Sequence, residues 1–482
     1  MEIEDLSVKL ARDLAAHQPD KSLPNLAAAL IDRADALCLA ERWDEALDSV
    51  VEAVHLYQRL VAADPDEHRP ALASALLRRS HLLETMGRFQ EALSILPETV
   101  NLHRLVVDAN SSVPFRENLA LALWLQAQLL NHFDRTEPAL ASLSESLEHY
   151  HAVLADTPDR DSTRKSVASV LFLMTELLEQ TGRMRDALTA SSEEIALRRI
   201  SASNDPTGEK TSRLAGSLND QAMLFARADR LSEGLTAIYE AVDLYRQCSE
   251  SSASDLAAAL RNQSILLDRL GFVAKALTAI TEAVNLYKQI AGYREELAES
   301  LIMQAELAYL LNDHYQYGFD FDPVEVINEA VKLYRQEAIS RPDSYRDDLA
   351  QALRLQATLL YDDYELEPAL ESINEAEAIF RSLTVRCDSD LNRLNLARSL
   401  VDQADILGAS DHLGEALSAA TEAVELHREL AELQPEPENH RSLVYALEQL
   451  ARWSAQTGNE GHAARLRIEA QTLREAAQSR FK

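Results

Sequence analysis

The sequence predicts an all-α protein built from about ten helix–turn–helix repeats of about 47 residues each. One observation is that the segment EAVHLYQRL at Glu52 returns as EAVDLYRQC at Glu240, EAVNLYKQI at Glu282, EAVKLYRQE at Glu329 and EAVELHREL at Glu422. A second is that apolar residues recur at helical spacing along the chain. The third is composition: 12 glycines and 14 prolines among 482 residues favour helix over turn-rich β structure.

A small residue marks the start of the second helix in each repeat and fixes the period. Successive gaps between these positions lie between 42 and 48 residues, and most are 46 or 47. Within one copy, Ala46, Val50, Ala53 and Val54 share a helical face, so we expect that face to be buried. The marker positions are Ala46, Ala92, Ala139, Ala187, Gly234, Ala276, Pro323, Ala369, Ala416 and Ala463.

The first helix of each repeat carries a leucine and, four residues later, a small or short residue, as in Leu123 and Ala127. A large apolar residue usually follows three positions further on, as at Leu130. These spacings place all three on one face, and the small residue lets a neighbouring helix approach closely. Turns such as MGRF, TGRM and LGFV separate the two helices. Their glycines are predicted to adopt the left-handed conformation that ends a helix.

These features resemble the tetratricopeptide repeat, in which a large residue, a small residue four positions on, and an alanine in the second helix recur. The longer period, and leucine where that repeat has tryptophan, resemble the kinesin-light-chain branch and the arrays attached to signalling proteins. The resemblance implies a right-handed α–α superhelix, or solenoid, whose first helices line a concave groove. It also implies a non-catalytic scaffold or sensor that binds a peptide or protein segment in that groove.

The two ends of the chain differ from the repeats between them. Residues 1–20 match the end of a second helix and predict a partial repeat, so either upstream sequence has been removed or this segment is a cap. Such an exposed half-repeat offers a surface for an upstream domain or for self-association. Residues 21–482 hold the ten repeats, with an insertion at 312–322. Arg467, Gln471 and Arg474 replace apolar or aromatic residues and predict a polar capping helix at 462–480.

Charge limits the partners that the protein can bind. The chain has 47 Lys and Arg against 79 Asp and Glu, a net charge of −32. Such a surface repels phosphate backbones and anionic lipids, so we expect no nucleic acid and no membrane as a partner. A neutral to basic peptide or protein is expected instead. The alternative is that the charge only keeps a long helical array in solution.

Cysteine usage and the N-terminus bear on location. Cys38, Cys248 and Cys387 are odd in number and far apart, which is not the pattern of a disulfide framework. The segment that begins the sequence is acidic and has no hydrophobic signal core. Both features predict a cytoplasmic protein.

The candidate binding residues lie one position after each repeat leucine, about 100° around the helix. Large apolar side chains cluster among the first members of this stripe, which indicates a covered surface. Trp124 and Phe172 are therefore predicted to anchor a ligand, and packing between neighbouring first helices is the alternative. The stripe is Ile31, Leu77, Trp124, Phe172, Asn219, Arg261, Ile302, Arg354, Val401 and Glu448.

The seventh repeat contains the insertion NDHYQYGFDFD, about six residues longer than the corresponding turns. It places Tyr315, Tyr317, Phe319 and Phe321 at alternate positions. Insertions in repeat proteins often form binding surfaces, so we predict that this ribbon folds back into the groove or presents an edge to a partner. The alternative is an insertion that only lies on the surface. Its aspartates resemble the start of a calcium loop but lack the remaining ligands, so no metal is expected.

No catalytic signature is present: the sequence has no glycine-rich phosphate loop, HExxH, CxxC or GxSxG. We expect no cofactor, although an enzyme or small-molecule receptor with its pocket in the groove is the alternative function. The glutamates that open the repeated segment, Glu52, Glu240, Glu282 and Glu329, are interpreted as a solvated face. A glutamine series is predicted to hydrogen-bond along the array or to bind peptide backbone. It comprises Gln126, Gln221, Gln263, Gln304, Gln356 and Gln403.

Overall fold

The computed structural model describes residues 2–17, 19–203, 208–248, 253–315 and 321–480. Over these ranges the chain forms 21 α-helices and no strand. The prediction of an all-α fold with two helices per repeat is therefore confirmed. The chain divides into two compact units, Met1–Ser249 and Glu250–Lys482.

After α1, even-numbered helices are the first helices of repeats and odd-numbered helices are the second. The first unit contains α1 (Glu2–His17), α2 (Pro19–Leu39), α3 (Trp43–Ala63), α4 (Pro65–Thr85), α5 (Phe89–Ala109), α6 (Val113–His132), α7 (Thr136–Asp156), α8 (Asp161–Gln180), α9 (Met184–Ala202), α10 (Glu209–Arg227) and α11 (Leu231–Gln247). The second unit contains α12 (Ala253–Arg269), α13 (Val273–Tyr287), α14 (Arg294–Tyr315), α15 (Pro323–Ser340), α16 (Pro342–Asp362), α17 (Leu366–Arg386), α18 (Asp390–Ala409), α19 (Leu413–Leu433), α20 (Pro437–Gln456) and α21 (Glu460–Arg480).

Within each unit, a second helix packs against the first helix of its own repeat and against the first helix of the next. The predicted small face makes this possible: Ala46, Val50 and Ala53 are completely buried in α3. First helices of successive repeats also approach one another, as α4 and α6 do in the first unit and α18 and α20 in the second. The apolar faces are therefore buried by neighbours along the stack.

The structure contains helices at both predicted ends of the array. Helix α1 covers most of the predicted partial repeat, and Leu6, Leu10 and Leu14 are exposed along one of its faces. Helix α21 covers the predicted capping segment. The domain boundaries at 1–20 and 21–482, and self-association through α1, stay predictions.

An aromatic ring in the second half of the second helix is buried in every repeat where the motif has one. Tyr334 and Phe380 are 1% and 0% exposed. Two repeats place an imidazole at the same position: His103 is 1% exposed and His427 is 2% exposed. Burial lowers the pKa of each of these histidines to about 4, because a charged imidazole loses its hydration there.

Within the two units, ion pairs join most second helices to the second helix of the next repeat. The Arg199 guanidinium lies 2.7 Å from the Glu240 carboxylate in the first unit, and Lys288 Nζ lies 2.6 Å from Glu329 in the second. We call this series the ion-pair ladder. Its members are Arg12–Glu52, Arg104–Glu145, His151–Glu193, Arg199–Glu240, Lys288–Glu329, Arg335–Glu375, Arg381–Glu422 and Arg428–Glu469.

The ladder explains why the repeated segment keeps both a glutamate and a basic residue. The interpretation of Glu52, Glu240 and Glu329 as a merely solvated face was incomplete, because each accepts from the basic residue of the preceding copy. The side chains are still about 40% exposed. Each pair therefore stabilises the fold only modestly, by ~0.2–1 kcal/mol.

The glutamine series bridges helices instead of forming an amide-to-amide row. Gln304 Nε2 donates to Thr281 Oγ1 at 2.9 Å, on the preceding second helix. Gln356 Nε2 donates to Asn328 Oδ1 at 2.5 Å, and Gln356 Oε1 accepts from Ser372 Oγ at 2.9 Å. The series therefore does hydrogen-bond along the array, as predicted, but its partners are side chains of second helices and not other glutamines of the series. These glutamines tie a first helix to the second helices beside it.

The turns between paired helices adopt the predicted left-handed conformation. Gly87, Gly182 and Gly271 have φ angles of +73°, +72° and +79°. Corresponding turns reach the same region without glycine, at Glu41, Asp134, Asp229, Tyr364 and Asp411. A side chain at positive φ brings Cβ close to the following carbonyl oxygen, which costs ~1–2 kcal/mol. These turns therefore carry local strain that the glycine turns avoid.

We expect Tyr364→Gly to stabilise the second unit by about 0.5–1 kcal/mol, since glycine removes the strain but loses more backbone entropy on folding. Tyr364 has a φ of +62° and is 88% exposed, so little packing is lost. Urea unfolding of the full chain, followed by helical circular dichroism, measures the change. The control Tyr239→Gly, within α11, should destabilise its own helix by ~1 kcal/mol. A lower midpoint for Tyr364→Gly would contradict the strain argument.

Candidate binding site

Helices α4 and α6, the first helices of the second and third repeats, border a cavity of about 340 Å³ in the first unit. The lining positions on each helix are mostly spaced by three or four residues, so they lie on a single face. The cavity is therefore built from equivalent faces of two successive first helices. It is lined by Ser74, Leu77, Arg78 and His81 from α4 and by Asn118, Leu121, Trp124 and Leu125 from α6.

The walls of the cavity are largely apolar. Leu77 and Leu125 are buried, Trp124 is half-buried, and Leu121 is 40% exposed. The indole Nε1 of Trp124 is buried and has no hydrogen-bond acceptor among the described residues. Because this nitrogen has no exposed surface, the cavity does not present it as a donor, and an unpaired buried donor of this kind costs ~1–3 kcal/mol. Trp124 therefore offers the cavity an apolar ring surface.

Polar side chains form the rim of the cavity. The Arg78 guanidinium forms an ion pair with Asp35 on α2, so its charge is already partly balanced. His81 Nδ1 lies 3.2 Å from the Glu84 carboxylate. The Asn118 amide has no hydrogen bond within the described ranges of the chain, and both its donor and its acceptor are available. An apolar interior with a few polar groups is typical of ligand sites.

Two residues of the predicted stripe, Leu77 and Trp124, meet in this cavity. The other two large members of its apolar part lie elsewhere. Ile31 is half-buried and packs against the apolar core of the first unit. Phe172, on α8, is 38% exposed and does not line the cavity. The stripe missed the other lining residues. Three of them stand three or four positions from Leu77 or Trp124 on the same faces, namely Ser74, His81 and Leu121. Two more, Arg78 and Leu125, directly follow Leu77 and Trp124 in the sequence.

The polar members of the stripe are engaged with neighbouring side chains. Asn219 Nδ2 donates to an adjacent carboxylate at 3.2 Å. In the second unit, Arg261 forms an ion pair with Glu299, and Arg354 Nη1 donates to Asp402 at 2.8 Å. Each arginine joins successive first helices. A role for Asn219, Arg261 and Arg354 in binding a partner stays a prediction.

The insertion of the seventh repeat is only partly within the described ranges. Tyr317 and Phe319 lie outside them, and for Tyr315 only the backbone, at the end of α14, is described. Phe321 is half-buried just before α15. Asp322 caps α15, where its carboxylate accepts from the Val324 N–H at 2.9 Å. The predicted binding role of Tyr315, Tyr317, Phe319 and Phe321 stays a prediction.

The described residues contain no group of three or more His, Cys, Asp or Glu side chains placed to hold a metal ion. None of their helices combines the length and the apolar character that crossing a membrane requires.

Comparisons with known proteins place this geometry in a structural context. The family model for anaphase-promoting complex subunit 5 matches residues 45–112, 226–292 and 361–435. The apo form of RapI is 11% identical, with a TM-score of 0.51 over 84% of this chain and 99% of that one. No curated protein matches the chain significantly.

Two other solved structures are similar over parts of their length. BtubC (BKLC) from P. vanneervenii is 17% identical over 52% of this chain and 93% of its own, with a TM-score of 0.40. A STAND protein with a tetratricopeptide repeat sensor, PH0952 from Pyrococcus horikoshii, is 13% identical over 81% of this chain and 54% of its own, with a TM-score of 0.45. The repeat geometry, the family-model match and the likeness to RapI agree, and each unit of the chain is a tetratricopeptide-type stack of helix pairs.

Proposed function

We propose that the chain is a non-catalytic protein-interaction module, a scaffold or sensor, that binds a peptide or protein segment along the first helices of its first unit. The observation that carries this proposal is the cavity between α4 and α6, with its apolar interior and polar rim. Its volume lies at the small end of the ~300–1,000 Å³ typical of ligand pockets. That size suits a side chain or two of a longer segment.

The chemistry of the cavity suggests what the segment presents. An extended peptide offers a carbonyl oxygen and an N–H group along its backbone, and the Asn118 amide on the rim can pair with either. A large apolar side chain beside that peptide group would fill the space next to Leu77 and Leu121. We propose a neutral to basic segment, because the net charge of −32 attracts cations and repels polyanions.

We expect Trp124→Ala to weaken peptide binding by about 30-fold or more, which corresponds to the ~2 kcal/mol of a binding hot spot. Peptides selected from a random display library on the wild-type chain serve as probes, and fluorescence anisotropy gives their Kd. Phe172→Ala tests whether the bound segment extends as far as α8. Tyr239→Ala is the matched control, since Tyr239 is 42% exposed on a second helix of the same unit. It should bind like the wild type.

Thermal unfolding of each variant separates a binding defect from a folding defect. Trp124 is half-buried, so Trp124→Ala should leave most of the stability intact. Equal peptide affinity for wild type and Trp124→Ala would show that the site is elsewhere. If a small compound binds in a Trp124-dependent manner and no selected peptide does, the alternative of a small-molecule receptor replaces the scaffold.

The salt dependence of the same reaction tests the charge of the partner. The screening length falls from ~30 Å at 0.01 M salt to ~8 Å at 0.15 M. Association of basic peptides should therefore slow as salt rises, whereas uncharged peptides should associate at a constant rate. A flat response for the basic peptides would contradict electrostatic steering.

A further inference from the structure

A second cleft in the first unit collects basic side chains in a chain whose net charge is −32. Arg164 and Lys165 come from the start of α8, Arg198 from the end of α9, and Lys210 and Arg213 from the start of α10. These five residues surround a narrow space of about 30 Å³. The cleft is therefore a local concentration of positive charge in an acidic chain.

The cleft already holds one carboxylate. Asp161 accepts a hydrogen bond from Ser201 Oγ at 2.8 Å, and Lys210 Nζ lies 3.0 Å from its other oxygen. Arg164 and Lys165 are further from it, at 3.6 Å and 3.8 Å. Ser201 and Lys210 together hold the pKa of Asp161 below its usual value. The donors of this cleft are thus arranged around an oxyanion.

Some donors in the cleft are not used by the protein. The Arg164 side chain is only 8% exposed, and its terminal nitrogens donate to the Pro158 and Asp159 carbonyls, at 2.5 Å and 3.3 Å, so the chain itself holds it in place. Arg198 gives only its Nε to Glu194, at 2.7 Å, and its terminal nitrogens bond to no described residue. The Lys165 ammonium donates no hydrogen bond within the described ranges and its side chain is 53% exposed. The terminal nitrogens of Arg198 and the Lys165 ammonium are therefore the donors left for a ligand.

The charge of the cleft suggests which acceptor fits. Its five cations are paired with three carboxylates, Asp161, Glu194 and Glu209, which leaves two positive charges. A phosphoryl group carries about −1.5 to −2 charges at pH 7 and three acceptor oxygens. The first turns of α8 and α10 add the positive ends of two helix dipoles. A carboxylate would bring one negative charge and only two oxygens.

We propose that this cleft binds a single phosphoryl group through Lys165, Arg198 and Arg213, with Arg164 beside them and Lys210 oriented by Asp161. The group is carried by a small molecule or by a phosphorylated side chain. The net charge of the chain repels extended polyanions, and the narrow space admits one such group, so nucleic acid does not fit. The inference is independent of the cavity between α4 and α6.

Phosphorus NMR and calorimetric titration of the full chain at low ionic strength test this site, with inorganic phosphate and phosphoserine as probes. We expect one site per chain. Lys165→Gln and Arg213→Gln should each weaken binding about tenfold, since a hydrogen bond to a charged group is lost. Both side chains are more than half exposed, so the variants should fold like the wild type. Arg185→Gln, an exposed residue at the other end of α9, removes the same charge and should bind like the wild type.

The two probes also distinguish the sources of the phosphoryl group. Tighter binding of phosphoserine than of inorganic phosphate indicates a phosphorylated side chain, and the reverse indicates a free or small-molecule phosphate. Equal affinity in wild type, Lys165→Gln and Arg213→Gln would overturn the proposal, as would the lack of any saturable binding. Acetate binding as tightly as phosphate, or single-stranded DNA binding that depends on Lys165 and Arg213, would overturn it as well.

Discussion

We expect the double variant His103→Phe, His427→Phe to resist acid unfolding far better than the wild type. The folded-state pKa of each histidine is about 4, well below the ~6.5 of an unfolded chain. Between about pH 6.5 and pH 4, each histidine binds a proton in the unfolded state but stays neutral in the folded state. The free energy of unfolding therefore decreases as the pH is lowered through this range. This difference in pKa between the unfolded and folded states corresponds to a loss of about 3 kcal/mol in the free energy of unfolding for each histidine.

Phenylalanine removes the titrating group and keeps the buried ring, as Phe380 does at the equivalent position. The measurement is the urea midpoint between about pH 4 and pH 7 for the wild type and both single variants. His55→Gln, at an exposed position of α3, is the control. An unchanged pH dependence in the double variant would refute the explanation.

Trp453→Ala should destabilise the second unit by ~3–5 kcal/mol, the usual cost of removing a buried aromatic ring. Trp453 is 1% exposed in α20 and is the largest fully buried side chain of the chain's described part. Its six-membered ring lies directly against Gly408 near the end of α18, where any Cβ would overlap it. Urea unfolding monitored by helical circular dichroism measures the decrease in the free energy of unfolding.

Gly408→Ala tests the same contact from the other side. The added methyl group must displace the ring, and such overpacking costs ~1–3 kcal/mol. In the double variant Gly408→Ala, Trp453→Ala, the methyl group of the new alanine at 408 instead occupies part of the space that the tryptophan ring leaves. The double variant should therefore be more stable than the sum of the two losses predicts. Strict additivity would mean that the two residues do not share this contact.

Local periodicity was sufficient to predict most of the fold. Burial of Ala46, Val50 and Ala53 follows from their spacing on one helical face. The positive φ of Gly87 follows from the need to end a helix. The Trp453–Gly408 contact could not be predicted this way, because it joins residues 45 positions apart and replaces the leucine-type packing of the other repeats.

The candidate site was predictable only in part. The stripe rule located Leu77 and Trp124, because both point from first helices in the same register. It could not say which neighbours complete a cavity, since this depends on how α4 and α6 rotate against each other. The basic cleft was missed altogether. Its residues come from three helices, and the net charge of −32 conceals a local excess of cations.

The ion-pair ladder has a consequence for how such a chain can change in length. Each rung joins a basic residue of one copy to a glutamate about 41 residues later, as between Arg381 and Glu422. Deleting or duplicating a copy that carries both residues would bring another basic residue and another glutamate into the same register. Unequal recombination between such copies would therefore leave no orphaned charge at the junction. Arrays with more or fewer copies are accessible from this sequence in one genetic step, without compensating point mutations.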